Sequence, residues 1–364
     1  MAIERIKLNY LTLLIMTFLA ATAYAHNWEV DGIYYKYVSE GIVTVTYRGS
    51  SYSDYSDEYS GSVIIPANVT YRNFNYKVIS IDQYAFRDCS GLTNLIIPNT
   101  VTNINDISFY GCSSLTGIAV EDGNPQYDSR DNCNAIIETT SNKLIAGCQS
   151  TVIPNTILTI GSNSFYACTG LTNVIIPNSV TTIQSDAFAY CPNLTNVSIG
   201  DNVIQIGSGA FAYCSELTNV SIGDNVIQIG GGAFSNCRKL ANIILPYNLS
   251  ITLPSIMGDY NIGYRAFYLC ESLNSIVCKA ITPPRVADYS SIYPSYYMAT
   301  LYVPKRSVEA YKATEFWSNF INIVGFDSDG DVPQNGTSQR CDTNDDGEVN
   351  IADVNRVIDE ILNH

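Results

Sequence analysis

The chain has 364 residues, with 34 Asp and Glu against 19 Lys and Arg, a formal net charge of −15. That balance repels phosphate backbones and anionic lipid head groups, and no Lys/Arg cluster interrupts it, so nucleic acid is excluded as a partner. His26 and His364 are the only two histidines, so neither a histidine-dependent triad nor a histidine-ligated zinc site can be built inside a fold.

In chain order, Arg5 and Lys7 precede a nearly unbroken apolar run, Leu8 to Ala20, and then Ala23-Tyr24-Ala25. A charged start, an apolar centre and small residues before a cut predict a secretory signal peptide over 1–25. The run is shorter than the roughly 20 residues that span a bilayer as a helix, and no later stretch reaches that length. The predicted mature chain is therefore secreted or held at the cell surface, with no transmembrane span.

Phenylalanine recurs at Phe86 and Phe109, at Phe165, Phe188, Phe211 and Phe234, and at Phe267, with a step of 23 residues inside each group. Three residues after each comes cysteine (Cys89, Cys112, Cys168, Cys191, Cys214, Cys237, Cys270), and three further on leucine (Leu92, Leu115, Leu171, Leu194, Leu217, Leu240, Leu273). Leu194 to Phe211 and Leu217 to Phe234 differ at one position, Ser208 against Gly231, which points to a recent duplication. Each unit reads L-T-N-V-x-I, a Gly-Asp-Asn or Pro-Asn turn, V-x-x-I, then A-F-x-x-C. Strand alternation turns Val197 and Ile199 inward with Leu194, and Asn196 and Ser198 outward. One such unit cannot bury its own apolar face, but a stack of them forms a continuous core.

The period breaks twice. Between Phe109 and Phe165, Asn134 to Thr139 and Lys143 to Cys148, joined by Thr140-Ser141-Asn142, read as a hairpin. Between Phe234 and Phe267, extra residues fall around Tyr247 to Ile262. Insertions of this kind emerge on one face of a repeat protein, often the binding face. Seven of the 11 cysteines occupy the repeat column and read as small buried hydrophobes, while Cys133 and Cys148 flank the hairpin and are the candidates for a disulfide. The outward column Asn94, Asn173, Asn196, Asn219 and Asn242 reads as amides hydrogen-bonded between coils, with ligand contact as the alternative. Tyrosines crowd both ends (Tyr34, Tyr35, Tyr37, Tyr52, Tyr55, Tyr59; Tyr289, Tyr293, Tyr296, Tyr297) and form candidate contact surface, with cap packing as the alternative explanation.

The last tenth of the chain holds about half of the net negative charge. After a linker over 327–340, oxygen-bearing residues follow Asp342 at loop positions 1, 3, 5, 9 and 12 (Asp342, Asn344, Asp346, Asn350, Asp353). Gly347 stands at the sharp-turn position 6, and Glu348 supplies its backbone carbonyl at position 7. That is the ligand spacing of a Ca²⁺ loop. Ile351, Val354, Val357, Ile358, Ile361 and Leu362 then recur at helical spacing.

The pattern I-I-P-x-x-V-x-x-I-x-x-x-A-F-x-x-C-x-x-L-T-N-V, as in Ile175 to Leu194, resembles the BspA-like class of leucine-rich repeats. The resemblance covers about 62–326 and implies a β-rich solenoid with units of about 23 residues. Val30 to Tyr47 resembles that family's strand-forming cap, giving a β cap over 26–61, and Ala299 to Gly325 resembles its closing segment. Such caps are physically required, since an open solenoid end exposes core and strand edge. Residues 341–364 resemble one half of a dockerin, which needs two such repeats, whereas this sequence carries one. The resemblance implies an adhesive surface protein that binds an extracellular protein through its repeats and is not an enzyme. A second reading is a non-catalytic subunit of a polysaccharide-handling or glycan-binding assembly, with the C-terminal segment meeting a docking partner. A glycoside hydrolase ranks third, because Asp201, Asp224 and Glu216 fall in turns or at a repeat start rather than as a facing pair.

Overall fold

The computed structural model describes residues 26–54, 57–105, 107–250, 260–293 and 297–327. The predicted signal peptide and the predicted calcium loop lie outside these residues.

The N-terminal end is a meander of antiparallel strands, Trp28–Val30, Ile33–Ser39 and Ile42–Val45. The hairpin Asn68–Tyr71/Phe74–Ile81 joins it, with Val43 facing Val78 in a parallel pair. Tyr35, Val43, Val45, Tyr59 and Val78 are buried beneath it. Gly61–Ile64 already belongs to the repeat array, pairing in parallel with Leu92–Ile97, which pairs with Gly117–Val120.

Each later coil contributes two strands. The longer ones stack in exact 23-residue register, so Asn173, Asn196 and Asn219 face one another, as do Ile176, Ile199 and Ile222. The same face continues through Asn242–Leu245, Ser275–Cys278, Thr300–Pro304 and Asn322–Phe326. The shorter strands Thr159–Ile160, Thr182–Ile183, Gln205–Ile206 and Gln228–Ile229 form a second parallel ladder. Val197 and Ile199 are buried and Asn196 and Ser198 exposed, as the alternation requires.

The A-F-x-x-C segment is the tight corner of each coil. Ala167, Tyr190, Tyr213, Asn236 and Leu269, each two residues after a repeat Phe, have φ between 55° and 61°. The bend carries each Phe ring inward, where Phe86/Phe109 and the run from Phe165 to Phe267 stack with centroids 4.7 to 5.4 Å apart and planes within 18° of parallel. The cysteine column does more than fill space. Cys112, Cys191, Cys214, Cys237 and Cys270 each donate a thiol hydrogen bond, 3.1 to 3.2 Å long, to the carbonyl of the Phe one coil earlier.

The expected hairpin is present as Ala135–Glu138 and Lys143–Gly147, and its second strand pairs with the short-strand ladder. Its two faces serve two apolar clusters: Ala135, Ile137 and Leu144 join the larger, C-terminal one, and Ile136, Ile145 and Ala146 the N-terminal one. The candidate disulfide is not formed. Cys133 and Cys148 are both free thiols, and they lie in different clusters, Cys133 in the C-terminal one and Cys148 in the N-terminal one. Cys148 instead donates to the Asn134 carbonyl at 3.4 Å.

At the C-terminal end, the helix Val308–Ala313 and the turn Trp317–Asn319 cover the last coils. Trp317 is fully buried with its indole N–H on the Pro284 carbonyl at 2.9 Å, and the Tyr311 hydroxyl reaches the Ala280 carbonyl at 2.7 Å. Among the described residues, no helix is long and apolar enough to cross a membrane.

Candidate functional site

Two columns of outward side chains run along the array. The asparagine column on the long strands is occupied with itself. Asn196 donates from Nδ2 to Asn173 Oδ1 at 2.6 Å, and Asn219 to Asn196 Oδ1 at 2.7 Å. Each amide also donates to the Thr hydroxyl before it. Amide groups so committed stabilise register and offer little to a ligand.

The second column sits at the corners and is aromatic. Tyr110 stacks on Tyr166 at 3.9 Å, Tyr166 lies 5.2 Å from Tyr190, and Tyr190 stacks on Tyr213 at 4.4 Å, 9° from parallel. Towards the N-terminus, the Arg87 guanidinium lies 4.4 Å from the Tyr52 ring centre and 5.5 Å from that of Tyr110, while Tyr52 packs 4.2 Å from Tyr84. The result is one strip of rings and a cation, Tyr52 to Tyr213, crossing successive coils. Tyr190 and Tyr213 are 43 % and 44 % exposed. Burial, then the neighbouring Tyr213, raises the Tyr190 hydroxyl above its ordinary range; burial, then the hydrogen bond with Tyr110, raises that of Tyr166. Tyr166 and Tyr190 are therefore held neutral beside the Arg87 charge, which the neighbouring Asp88 favours.

Backbone geometry is a cost that three rings of this strip bear. Bulky aromatic residues are outliers at positive φ, yet Tyr84, Tyr190 and Tyr213 have φ of 62°, 59° and 61°. The corners two residues after the other repeat phenylalanines hold Asp88, Gly111, Ala167, Asn236 and Leu269, all at positive φ, so the conformation belongs to the repeat, and Asp, Asn and Gly accept it more readily than Tyr. Rigid aromatic area with polar tips beside an arginine is the composition of protein-contact hot spots.

Sequence reasoning located tyrosine surface only at the two ends of the chain. Of that set, Tyr35 and Tyr59 are core residues, 0 % and 2 % exposed, whereas Tyr37, Tyr52, Tyr289, Tyr293 and Tyr297 are exposed. Tyr55 and Tyr296 lie outside the described residues. The mid-array strip was missed because its offset from the repeat Phe changes, one residue for Tyr110 and Tyr166 but two for Tyr190 and Tyr213. Aligning the corners in space rather than by residue offset would have found it. The predicted calcium ligands Asp342, Asn344, Asp346, Glu348, Asn350 and Asp353 also lie outside the described residues.

The insertion before Phe165 builds a hollow of about 400 Å³ whose walls include Asp122, Asp128, Arg130 and Asp131. Arg130 is tied across it to Asp128 at 2.9 Å and to Asn142 Oδ1 at 2.8 Å. These paired charges hold the loop against the hairpin.

A family model described as "BspA type Leucine rich repeat region" matches in six copies over residues 66–130 and 135–260. No curated protein matches the chain. Among solved structures, a leucine rich cell surface protein from Faecalibacterium prausnitzii is 23 % identical with a TM-score of 0.40, over 77 % of this chain and 71 % of that one. A leucine-rich repeat protein from Bacteroides ovatus is 23 % identical with a TM-score of 0.44, over 78 % and 80 %. The leucine rich repeat protein of T. pallidum is 20 % identical with a TM-score of 0.35, over 68 % and 90 %.

Proposed function

Because the chain belongs to the BspA-type leucine-rich-repeat family, we propose that it is an exported, non-enzymatic binding protein. Its corner strip from Tyr52 to Tyr213 grips an extracellular protein partner. The observation that carries this reading is the strip itself: tyrosines stacked across successive coils beside the Arg87 guanidinium, with Tyr190 and Tyr213 exposed, the composition of a protein-contact hot spot. Export rests on the leader pattern over 1–25, and surface residence on the family. The absence of an enzymatic role rests on the distribution of histidine and on the thiols. Cys89 and Cys270 are buried and pushed up to about 12, far from the thiolate a nucleophile requires.

The test is surface plasmon resonance of the mature chain against a panel of extracellular-matrix proteins, beside the variant Tyr190→Asn/Tyr213→Asn. Binding by the parent that weakens about tenfold or more in the variant, as loss of a hot spot entails, supports the reading. Equal binding by both removes the strip from the function.

The Ca²⁺ loop is part of the same proposal. Asp342, Asn344, Asp346, the Glu348 carbonyl, Asn350 and Asp353 bind one ion and neutralise part of the negative charge of that segment. This rests on the spacing of the ligands and the glycine. Calorimetric titration of the mature chain with CaCl₂ tests it against Asp342→Ala/Asp346→Ala. Heat in the parent alone supports the site, and no heat in either chain reduces the segment to an acidic tail.

A further inference from the structure

A groove of about 530 Å³ crosses the short-strand ladder, on a different part of the coil from the tyrosine strip. Its floor is glycine for a structural reason. A Cβ on Gly207, Gly230 or Gly263 would come within 2.5 Å of the backbone of the preceding coil, so the coils can close up only if these positions stay bare. The walls are not explained in this way. They consist of amides and hydroxyls, Gln184, Gln205, Gln228, Ser162 and Ser208 among them, without a single Asp, Glu, Lys, Arg or His. In a chain whose net charge is −15, a wall free of ionic groups selects a ligand that is itself uncharged.

The polar groups recur once per coil, at the strand spacing of about 4.8 Å. Gln205 Nε2 donates to Gln228 Oε1 at 2.8 Å, and Gln228 Nε2 to the Tyr260 carbonyl at 3.3 Å. Ser162 donates through both its N–H and its hydroxyl to Gln184 Oε1. Each amide is thus committed to a neighbour, as in the asparagine column, and the groups left to a ligand are the exposed hydroxyls of Ser185 and Ser208, one coil apart along the lining. A ligand matched to this surface repeats its own donors and acceptors along its length. One end is closed by the insertion before Phe267, which brings Tyr260 to the lining. Tyr264 lies 5.9 Å from it, ring to ring, and is 55 % exposed. The Tyr264 ring therefore stands beside the lining rather than within it, next to the Tyr260 ring that Arg285 approaches to 6.0 Å, and offers a flat apolar face to the C–H side of a pyranose. An extended peptide would instead need apolar pockets for alternate side chains, and the glycine floor provides none.

We propose that this groove, from Ser162 to Tyr264, binds a neutral polysaccharide, independently of the protein partner assigned to the tyrosine strip. The experiment is affinity electrophoresis of the full mature chain through gels containing laminarin, xyloglucan, galactomannan or, as an anionic control, polygalacturonate. Three variants run beside the parent: Tyr264→Ala, Ser208→Trp and Tyr213→Asn. Ser208 is exposed, so tryptophan there obstructs the groove without entering the core. Retardation by at least one neutral polysaccharide is expected, weakened about fivefold or more by Tyr264→Ala and by Ser208→Trp, with Tyr213→Asn unchanged. Retardation by polygalacturonate alone, by none of the four, or to the same extent in all variants overturns the proposal. So does loss in Tyr213→Asn with retention in Tyr264→Ala, which would move sugar binding to the strip. Thermal melts matching the parent's confirm that each variant is folded.

Discussion

The Cys214 thiol donates to the Phe188 carbonyl oxygen of the preceding coil at 3.2 Å, with both side chains fully buried. The repeat of this bond along the array explains why cysteine, and not valine or alanine, fills the column. The site needs a small apolar side chain that can also satisfy a carbonyl where the corner bends away from the ladder.

The buried thiols make stability fall at alkaline pH. Burial pushes Cys89 and Cys270 up to about 12 and Cys112 and Cys237 well above their ordinary value, and the hydrogen bond with Cys214, then burial, does the same for Cys191. An unfolded thiol titrates near 8.5. Above that pH the unfolded chain has released protons that the folded chain keeps, so stability is fully present below about pH 8.5 and is lost as pH rises towards 12. The slope is about 1.4 kcal/mol per pH unit for each such thiol. Thermal melts under reducing conditions should show a Tm steady up to about pH 8 and dropping steeply by about pH 10, less steeply in Cys191→Ala/Cys237→Ala. A Tm level through pH 10 would contradict the burial of the column.

Phe211 stacks between Phe188 at 5.1 Å and Phe234 at 5.2 Å, 1° and 8° from parallel, and is fully buried. Phe211→Ala should destabilise the chain by about 3 to 5 kcal/mol through lost transfer energy and the cavity left behind. Phe211→Leu, closer in volume, should cost less than half as much. Urea unfolding followed by circular dichroism compares them. Equal midpoints for the two variants would mean that the column collapses to fill the gap.

Gly147, at the end of the hairpin, faces the ring of Phe165, whose Cε1 would lie 2.2 Å from an added Cβ. Phe165 is itself 2 % exposed and heads the longer phenylalanine column. Gly147→Ala should therefore lower stability by about 1 to 3 kcal/mol through overpacking, and Gly123→Ala, at an open turn with φ of 80°, by about 1 kcal/mol through backbone strain alone. The double variant Gly147→Ala/Phe165→Leu discriminates the mechanism: a loss smaller than the sum of the two single variants places the clash at the ring, and strict additivity does not.

How much was legible from residues alone follows from what kind of contact each feature is. The phenylalanine, cysteine and leucine columns, the inward Val197 and Ile199 and the hairpin at Ala135 to Gly147 all express a period along the chain, which a sequence displays directly. The thiol bonds were hidden because their acceptor is backbone one coil away. The absence of a Cys133–Cys148 bridge was hidden because the two strands of the hairpin lead to opposite cores. The Tyr52 to Tyr213 strip and the Ser162 to Tyr264 groove depend on how the coils turn at their corners. There a shift of one residue in the repeat leaves a ring in the same place, and an insertion supplies a wall to coils far from it in sequence.

The conformation of Tyr213 separates strain from stacking. At φ of 61° a non-glycine residue gives up about 1 to 2 kcal/mol, less for asparagine, while the stack on Tyr190 returns about 0.5 to 1.5 kcal/mol. Tyr213→Asn loses the stack and relieves the strain, so its stability should lie within about 1 kcal/mol of the parent. Asn236 already occupies the equivalent corner of the next coil at the same φ of 61°. Tyr213→Val loses the stack and adds a β-branched side chain at a left-handed position, and should fall below the asparagine variant by more than about 1 kcal/mol. Urea midpoints of the two variants make the comparison. If they coincide, the corner does not hold its residue at positive φ, and the strip owes its alignment to packing between rings alone.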